Sequence, residues 1–230
     1  NNKRFGGLLQ MLTCLCRQVT SSTMHMTYSQ YRSALLGRKL PAAFVNLDAL
    51  QTNISAIAKR ASGTRIRIAS KSVRCVEMLK RIEAGAEHFK GFMTYHADET
   101  AHLYRAGLDD FLLAYPVFQQ QHIRTLCEIC AEGAELRVMV DLPEQVDALQ
   151  RFAKEMDVTM GVCIDLDMSV DFPGVHFGVR RSSVTTPEAA VALAKHILEQ
   201  PNLKLNALMG YEAQIAGVGD AVPGRALMNS

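Results

Sequence analysis

From residue 40 onward, short apolar runs rich in β-branched residues alternate with longer segments whose apolar positions recur at helical spacing. The runs AAFVNLD (42–48), RIRIAS (65–70), HFKGFMTY (88–95), DFLLAY (110–115), ELRVMVD (135–141), VTMGVCIDLDM (158–168) and KLNALMGYEAQ (204–214) predict strands. The segment ALQTNISAIAKRA places Leu50, Ile54, Ile57, Ala58 and Ala61 along one helical face. CVEMLKRIEAG, DETAHLYRAG, QQQHIRTLCEICAEG, PEQVDALQRFAKEM and PEAAVALAKHILEQ predict further helices. Pro143 falls in the first turn of its helix, where a missing N–H costs little.

Strand and helix alternating at intervals of 20–45 residues predict a parallel α/β fold. The intervals suit a (β/α)8 barrel better than a doubly wound sheet, because no glycine-rich phosphate turn follows the first strand. The sequence AGVGD at 216–220 lacks a third glycine and reads as a loop.

Composition narrows the class without naming a chemistry. The chain has 230 residues, 48% of them apolar, which supports a sizeable core. Its formal charge of +2 argues against nucleic acid or an anionic membrane as partner. All 23 acidic residues lie beyond position 47, with 19 of the 25 lysines and arginines. No stretch reaches the roughly 18 consecutive apolar residues of a spanning helix. Six dispersed cysteines predict reduced thiols and a cytoplasmic protein. Cys127 and Cys130 form a CxxC near the end of a helix, the wrong end for a low-pKa redox pair. Residues 1–27, with a basic start and an interrupted apolar run, are expected to be a leader or targeting-like tail, and 28–230 the folded part.

Several polar residues follow apolar strands, where a barrel carries its reactive groups. Lys71 ends IRIAS, and a lysine at a barrel mouth offers an amine to an aldehyde. Asp165 and Asp167 share one face of their strand, opposite Ile164, Leu166 and Met168, and there call for a cation, a ligand or a catalytic role. His176, Arg180 and Arg181 crowd the next loop, where cations suit a carboxylate or phosphate. Tyr211, Glu212 and Gln214 follow the last apolar run. His96 and His102, six apart, do not align on a helix and are read as structural, so no metal ligand is assigned.

In this order, PAAFVNLDALQTNI (41–54), IRIASKSVRC (66–75), CIDLDMSVDFPGVHFGVRRS (163–182) and MGYEAQIAGVGD (209–220) resemble the fold-type III pyridoxal-phosphate enzymes. That group includes alanine racemase, D-threonine aldolase and eukaryotic-type D-serine dehydratase; the nearest likeness is to bacterial amino acid deaminase/aldolases. The resemblance implies that Lys71 is the Schiff-base lysine and that Tyr211 lies beside the cofactor ring, with Asp167 and His176 completing the cofactor-binding set. His176 stands where the family has the arginine of an Arg-x-Gly pattern, leaving Arg180, with Gln214, to meet substrate. It also implies that AAFVNLD joins a C-terminal β-domain, leaving a partial barrel of about six strands, with that domain missing. In relatives the same domain supplies ligands for a divalent metal. The expected activity is that of a lyase on D-amino acids, homodimeric when full length, with a divalent metal open to it through the missing domain, and inactive as this fragment. A racemase, or a non-catalytic pyridoxal-phosphate homeostasis protein, is the alternative; the latter completes eight strands in a chain of similar length.

Overall fold

A computed structural model describes residues 26–212, which divide into two compact units, one within 1–53 and one within 54–230. Gln214 and the 216–220 loop lie outside the described residues, as does most of the proposed leader.

In the first unit, helix α1 (Tyr28–Leu35) starts at a capping box: Thr27 Oγ1 accepts from Gln30 N, and Gln30 Oε1 accepts from Thr27 N. The segment AAFVNLD is not a strand. Residues 42–46 have no regular structure, and helix α2 (Leu47–Ala61) takes the final Leu-Asp. Asn46 decides the boundary, because its Oδ1 accepts from Ala49 N at 3.0 Å and its carbonyl accepts from Leu50 N. No strand among the described residues pairs with Phe44 and Val45; Phe44 instead packs on Tyr31, ring centroids 5.1 Å apart.

The second unit is built on a six-stranded parallel sheet. Its strands are β1 (Ile66–Ala69), β2 (Phe89–Thr94), β3 (Phe111–Leu113), β4 (Leu136–Val140), β5 (Met160–Leu166) and β8 (Leu203–Gly210), in that spatial order. They occupy the later six predicted runs, so the fold is α/β, a partial (β/α)8 barrel. The crossovers are α3 (Ser70–Val73) with α4 (Val76–Gly85), then α5 (Ala97–Arg105), α6 (Gln120–Ala131), α7 (Pro143–Glu155) and α8 (Pro187–Leu198). The core is built from strand residues such as Phe92, Phe111, Val138 and Ile164 and helix residues such as Leu79, Leu126 and Ile197. Each such side chain contributes ~1.5–3 kcal/mol of burial.

The opposite strand face carries charge at its N-terminal end. Asp110 Oδ1 lies 2.6 Å from both Arg67 Nη2 of β1 and Arg137 Nη1 of β4. Between them the chain passes at Gly91 (φ +70°), where an added Cβ would stand 2.3 Å from the Asp110 carbonyl oxygen. Further along this face are Met139, Cys163 and the buried Asp165.

The loop after β5 holds a hairpin that hydrophobic periodicity does not reveal, β6 (Val170–Phe172) and β7 (Val175–Phe177). The Pro173-Gly174 pair makes its turn, with Gly174 at φ +80°. Helix α6 ends with the CxxC, as read from the sequence. Burial pushes the Cys127 thiol up to about 11 and that of Cys130 to about 12, far from a redox thiolate. Desolvation likewise raises Cys163 to about 12. Alkylation of the native chain followed by peptide mass analysis should therefore modify exposed Cys75 well before Cys127, Cys130 or Cys163. Equal labelling would contradict this packing.

Candidate functional site

Every parallel strand delivers a polar or aromatic residue to the rim at its C-terminal end. Lys71 sits one turn beyond β1, in the short helix α3 rather than on the strand itself. That turn is pinned at both sides. Ser70, 1% exposed, donates from Oγ to the Met93 carbonyl at 3.1 Å. Arg74, in the left-handed region at φ 49°, donates from Nε to the Lys71 carbonyl at 3.0 Å and lies over the Tyr95 ring. The Lys71 side chain is exposed, and among the described residues its Nζ has no hydrogen bond or ion pair. Its nearest aromatic face is Tyr115, 6.0 Å away, just after β3.

Tyr115 leads to the centre of the group, Arg181. The guanidinium carbon lies 5.3 Å from the Tyr115 ring centre and 5.1 Å from that of Tyr211. Arg181 donates from Nε to Asp165 Oδ2 at 3.1 Å and from Nη2 to the Ala114 carbonyl at 3.0 Å. One guanidinium thus joins groups at the C-terminal ends of β3, β5 and β8.

The two acids of β5 do different work. Asp165 is 3% exposed, and its Oδ1 is buried with no hydrogen-bond partner among the described residues. Burial raises its pKa above the usual carboxylate range, although Arg181 pulls the other way. Asp167 lies one residue past the strand and holds the loop that carries Arg181. Its Oδ2 accepts from Arg181 N at 2.8 Å and Ser182 N at 3.3 Å, and its Oδ1 accepts from Ser169 N and Oγ. Ser182 Oγ donates to the Asp165 carbonyl at 2.7 Å, and Ser183 N to Asp141 Oδ2 at 3.1 Å. Burial acts to raise Asp167, but the hydrogen bonds from Ser169, Ser182 and Arg181 outweigh it and hold the pKa below the usual range.

The sign of a pH effect follows. A depressed carboxyl stabilises the fold above its unfolded value of about 3.9 and loses that contribution as pH falls through the folded value. Below about pH 4, amide exchange at Arg181 and Ser182 should therefore accelerate ahead of exchange in the sheet. Asp167→Asn should reproduce this at neutral pH, at a cost of about 1–3 kcal/mol. Unchanged exchange at those two amides would refute the strap.

Of the residues named from sequence, Lys71, Asp167 and Tyr211 converge through Tyr115 and Arg181. His176 hydrogen-bonds within the hairpin, Nδ1 to Asp171 Oδ1 at 2.6 Å, and to none of those three. Arg180 is 75% exposed in its side chain, 4.0 Å from Asp171. The sequence names Arg181 among the loop cations but leaves the substrate assignment with Arg180, and it does not single out Tyr115 or Ser182. The signal for Arg181 was present: two acids on one face required a cation, and the adjacent VRRS offered two.

The family model described as alanine racemase, N-terminal domain, matches residues 45–223. The 3-hydroxy-D-aspartate aldolase of Paracoccus denitrificans is 26% identical over 181 residues, covering 78% of this chain and 44% of that protein. The D-threo-3-hydroxyaspartate dehydratase of Delftia sp. strain HT23 is 26% identical over 146 residues, covering 63% of this chain and 38% of that protein. Among solved structures, the D-threonine aldolase of Filomicrobium marinum superposes with a TM-score of 0.63 at 22% identity, covering 74% of this chain and 43% of that one. The chain spans less than half the length of these relatives.

Proposed function

We propose, from the premise that this chain belongs to the family of alanine racemase N-terminal domains, that it is the cofactor-holding part of a pyridoxal-phosphate lyase for D-β-hydroxy amino acids. The observation that carries this reading is Lys71: an exposed amine, uncommitted among the described residues, on a pinned turn at the rim. The group around it fits an aldehyde cofactor with an aromatic ring. Tyr115 and Tyr211 offer aromatic faces, Arg181 a cation between them, and Asp165 Oδ1 an unfilled acceptor. When bound, pyridoxal phosphate supplies an electron sink for bond cleavage at Cα or Cβ.

The chain's own residues hold and orient. Lys71 Nζ would hold the aldehyde of the cofactor, and the Ser70 and Arg74 contacts fix the backbone from which it reaches. Arg181 stays ion-paired to Asp165, so the positive charge near the rings keeps one position during turnover. The strap from Asp167 sets that position. Asp167, Tyr211 and His176 are proposed on the cofactor side of the site and Arg180 and Gln214 on the substrate side.

The names of the two relatives favour a 3-hydroxyaspartate, which carries a hydroxyl on Cβ; D-threonine and D-serine carry the same hydroxyl and are proposed beside it. The complete protein is proposed to work as a homodimer in the cytoplasm. Among the described residues β1 and β8 are sheet edges, and Leu208 of β8 is 63% exposed. Residues 1–230 alone are therefore proposed to capture cofactor weakly and to lack turnover. No described helix is long and apolar enough to cross a membrane.

The test uses the longest natural polypeptide containing this chain, loaded with pyridoxal phosphate. It is offered D-threonine, D-serine, both D-3-hydroxyaspartates and D-alanine, with products resolved by chiral chromatography. Aldehyde or keto-acid formation from the hydroxy amino acids is the expected result. Racemisation of D-alanine without cleavage of any hydroxy substrate would overturn the lyase reading.

A further inference from the structure

We infer that His96, Asp98 and His122 form a surface site for a divalent transition ion of the zinc class, beside the β2 end of the rim. His96 is the N-cap of α5, two residues past β2, and Asp98 lies in the first turn of that helix. His122 comes from the first turn of α6, on the following strand–helix unit. One ligand atom from each of the three residues lies within 4.8 Å of the others. The two imidazoles meet edge to face, with ring centres 4.5 Å apart and planes at 73°.

The local bonding explains the placement. His96 Nδ1 accepts from Asp98 N at 3.2 Å, which caps the helix and fixes the ring plane. Asp98 Oδ2 is 3.8 Å from the same nitrogen, too far for a hydrogen bond. The Asp98 carboxylate thus faces His96 at ion-pair range without a hydrogen bond to it, and His122 meets His96 through a ring edge. Two imidazoles and one carboxylate form a ligand set that favours zinc-like ions over calcium or magnesium. Zinc–nitrogen bonds of about 2.0–2.1 Å put ligand atoms roughly 3.4 Å apart in a tetrahedron, so side-chain rotation of about 1 Å closes the set. His96 and Asp98 are exposed and His122 is half-buried, which leaves room for that movement and for water at a fourth position. An ion here would tie the start of α5 to the start of α6. Spacing alone did not reveal the set, because its second imidazole is 26 residues away rather than at His102.

The test is titration of the purified full chain, free of pyridoxal phosphate, with Co2+ and then Zn2+. We expect one Co2+ per chain, visible d–d bands, no thiolate-to-cobalt charge transfer, and displacement by Zn2+. His96→Ala and His122→Ala should each weaken binding at least about tenfold, and His102→Ala should leave it unchanged. Should an alanine variant fail to fold by circular dichroism, His122→Gln and Asp98→Asn give the same comparison at nearly constant shape. Absence of binding, a thiolate band, or affinity unchanged in the His122 variants would each overturn the site.

Discussion

Replacing Lys71 by alanine is expected to abolish covalent capture of pyridoxal phosphate and to slow turnover about 10^3-fold or more, ~4 kcal/mol of barrier. No other described lysine of this unit follows the C-terminal end of a strand. Lys90 and Lys204 are the second residues of β2 and β8, and Lys59, Lys80, Lys154 and Lys195 lie on helices. The side chain is exposed, so truncation should change stability by no more than about 0.5 kcal/mol. Lys71→Arg keeps the charge over Tyr115 and removes the nucleophile, which separates electrostatics from chemistry. The measurement is borohydride reduction of the loaded complete protein, followed by peptide mapping. Cofactor fixed at another lysine, or retained by either variant, would sink the assignment.

Arg181→Met is expected to cost about 3–5 kcal/mol of stability, because it strips Asp165 of its only ion-pair partner among the described residues in a buried position. Both carboxylate oxygens would then lack a hydrogen bond among the described residues. Asp165 already lies above the usual carboxylate range, and losing Arg181 raises it further. A carboxyl raised in the folded state binds more protons there than when unfolded, so stability falls as pH rises from about 4 toward the folded value. Urea unfolding of the variant should thus show the largest deficit at neutral pH and a smaller one near pH 4. Adding Asp165→Asn should recover most of the loss. A double variant as unstable as the single one would show that the guanidinium matters chiefly for packing against Tyr115 and Tyr211.

Periodicity located the six strands and their helices because each is buried on both faces or along one stripe, and burial leaves its mark on sequence. It failed at AAFVNLD for the same reason. An apolar run becomes a strand only beside a partner, and here Asn46 begins a helix instead. The place of Lys71 just past β1 was legible from the end of its apolar run, whereas its proposed role rests on the resemblance of IRIASKSVRC and not on the pattern. Arg181 was not separable from Arg180 on residue type, since beyond Leu166 no period says which side chain turns inward. The choice is made by backbone hydrogen bonds to Asp167, and these link residues 14 and 15 positions apart. The Pro173-Gly174 turn was readable in principle. The pairing of His96 with His122 was not, because it depends on how neighbouring strand–helix units sit side by side.

The ionic contacts of Asp110 act at the end of the strands remote from Lys71, yet they govern where that amine stands. Among the described residues β1 has a single ladder neighbour, β2, and the Arg67 side chain reaches across it to Asp110 at the start of β3. Position along β1 is thereby indexed against a strand two places away. One register step would carry Lys71 ~3.3 Å along the sheet and turn it to the other face. Asp110→Ala would act on the amine by translation, with every rim residue chemically intact. The tolerance of the site to mutation is thus partly decided at the far end of the strands, by the charges of Asp110, Arg67 and Arg137.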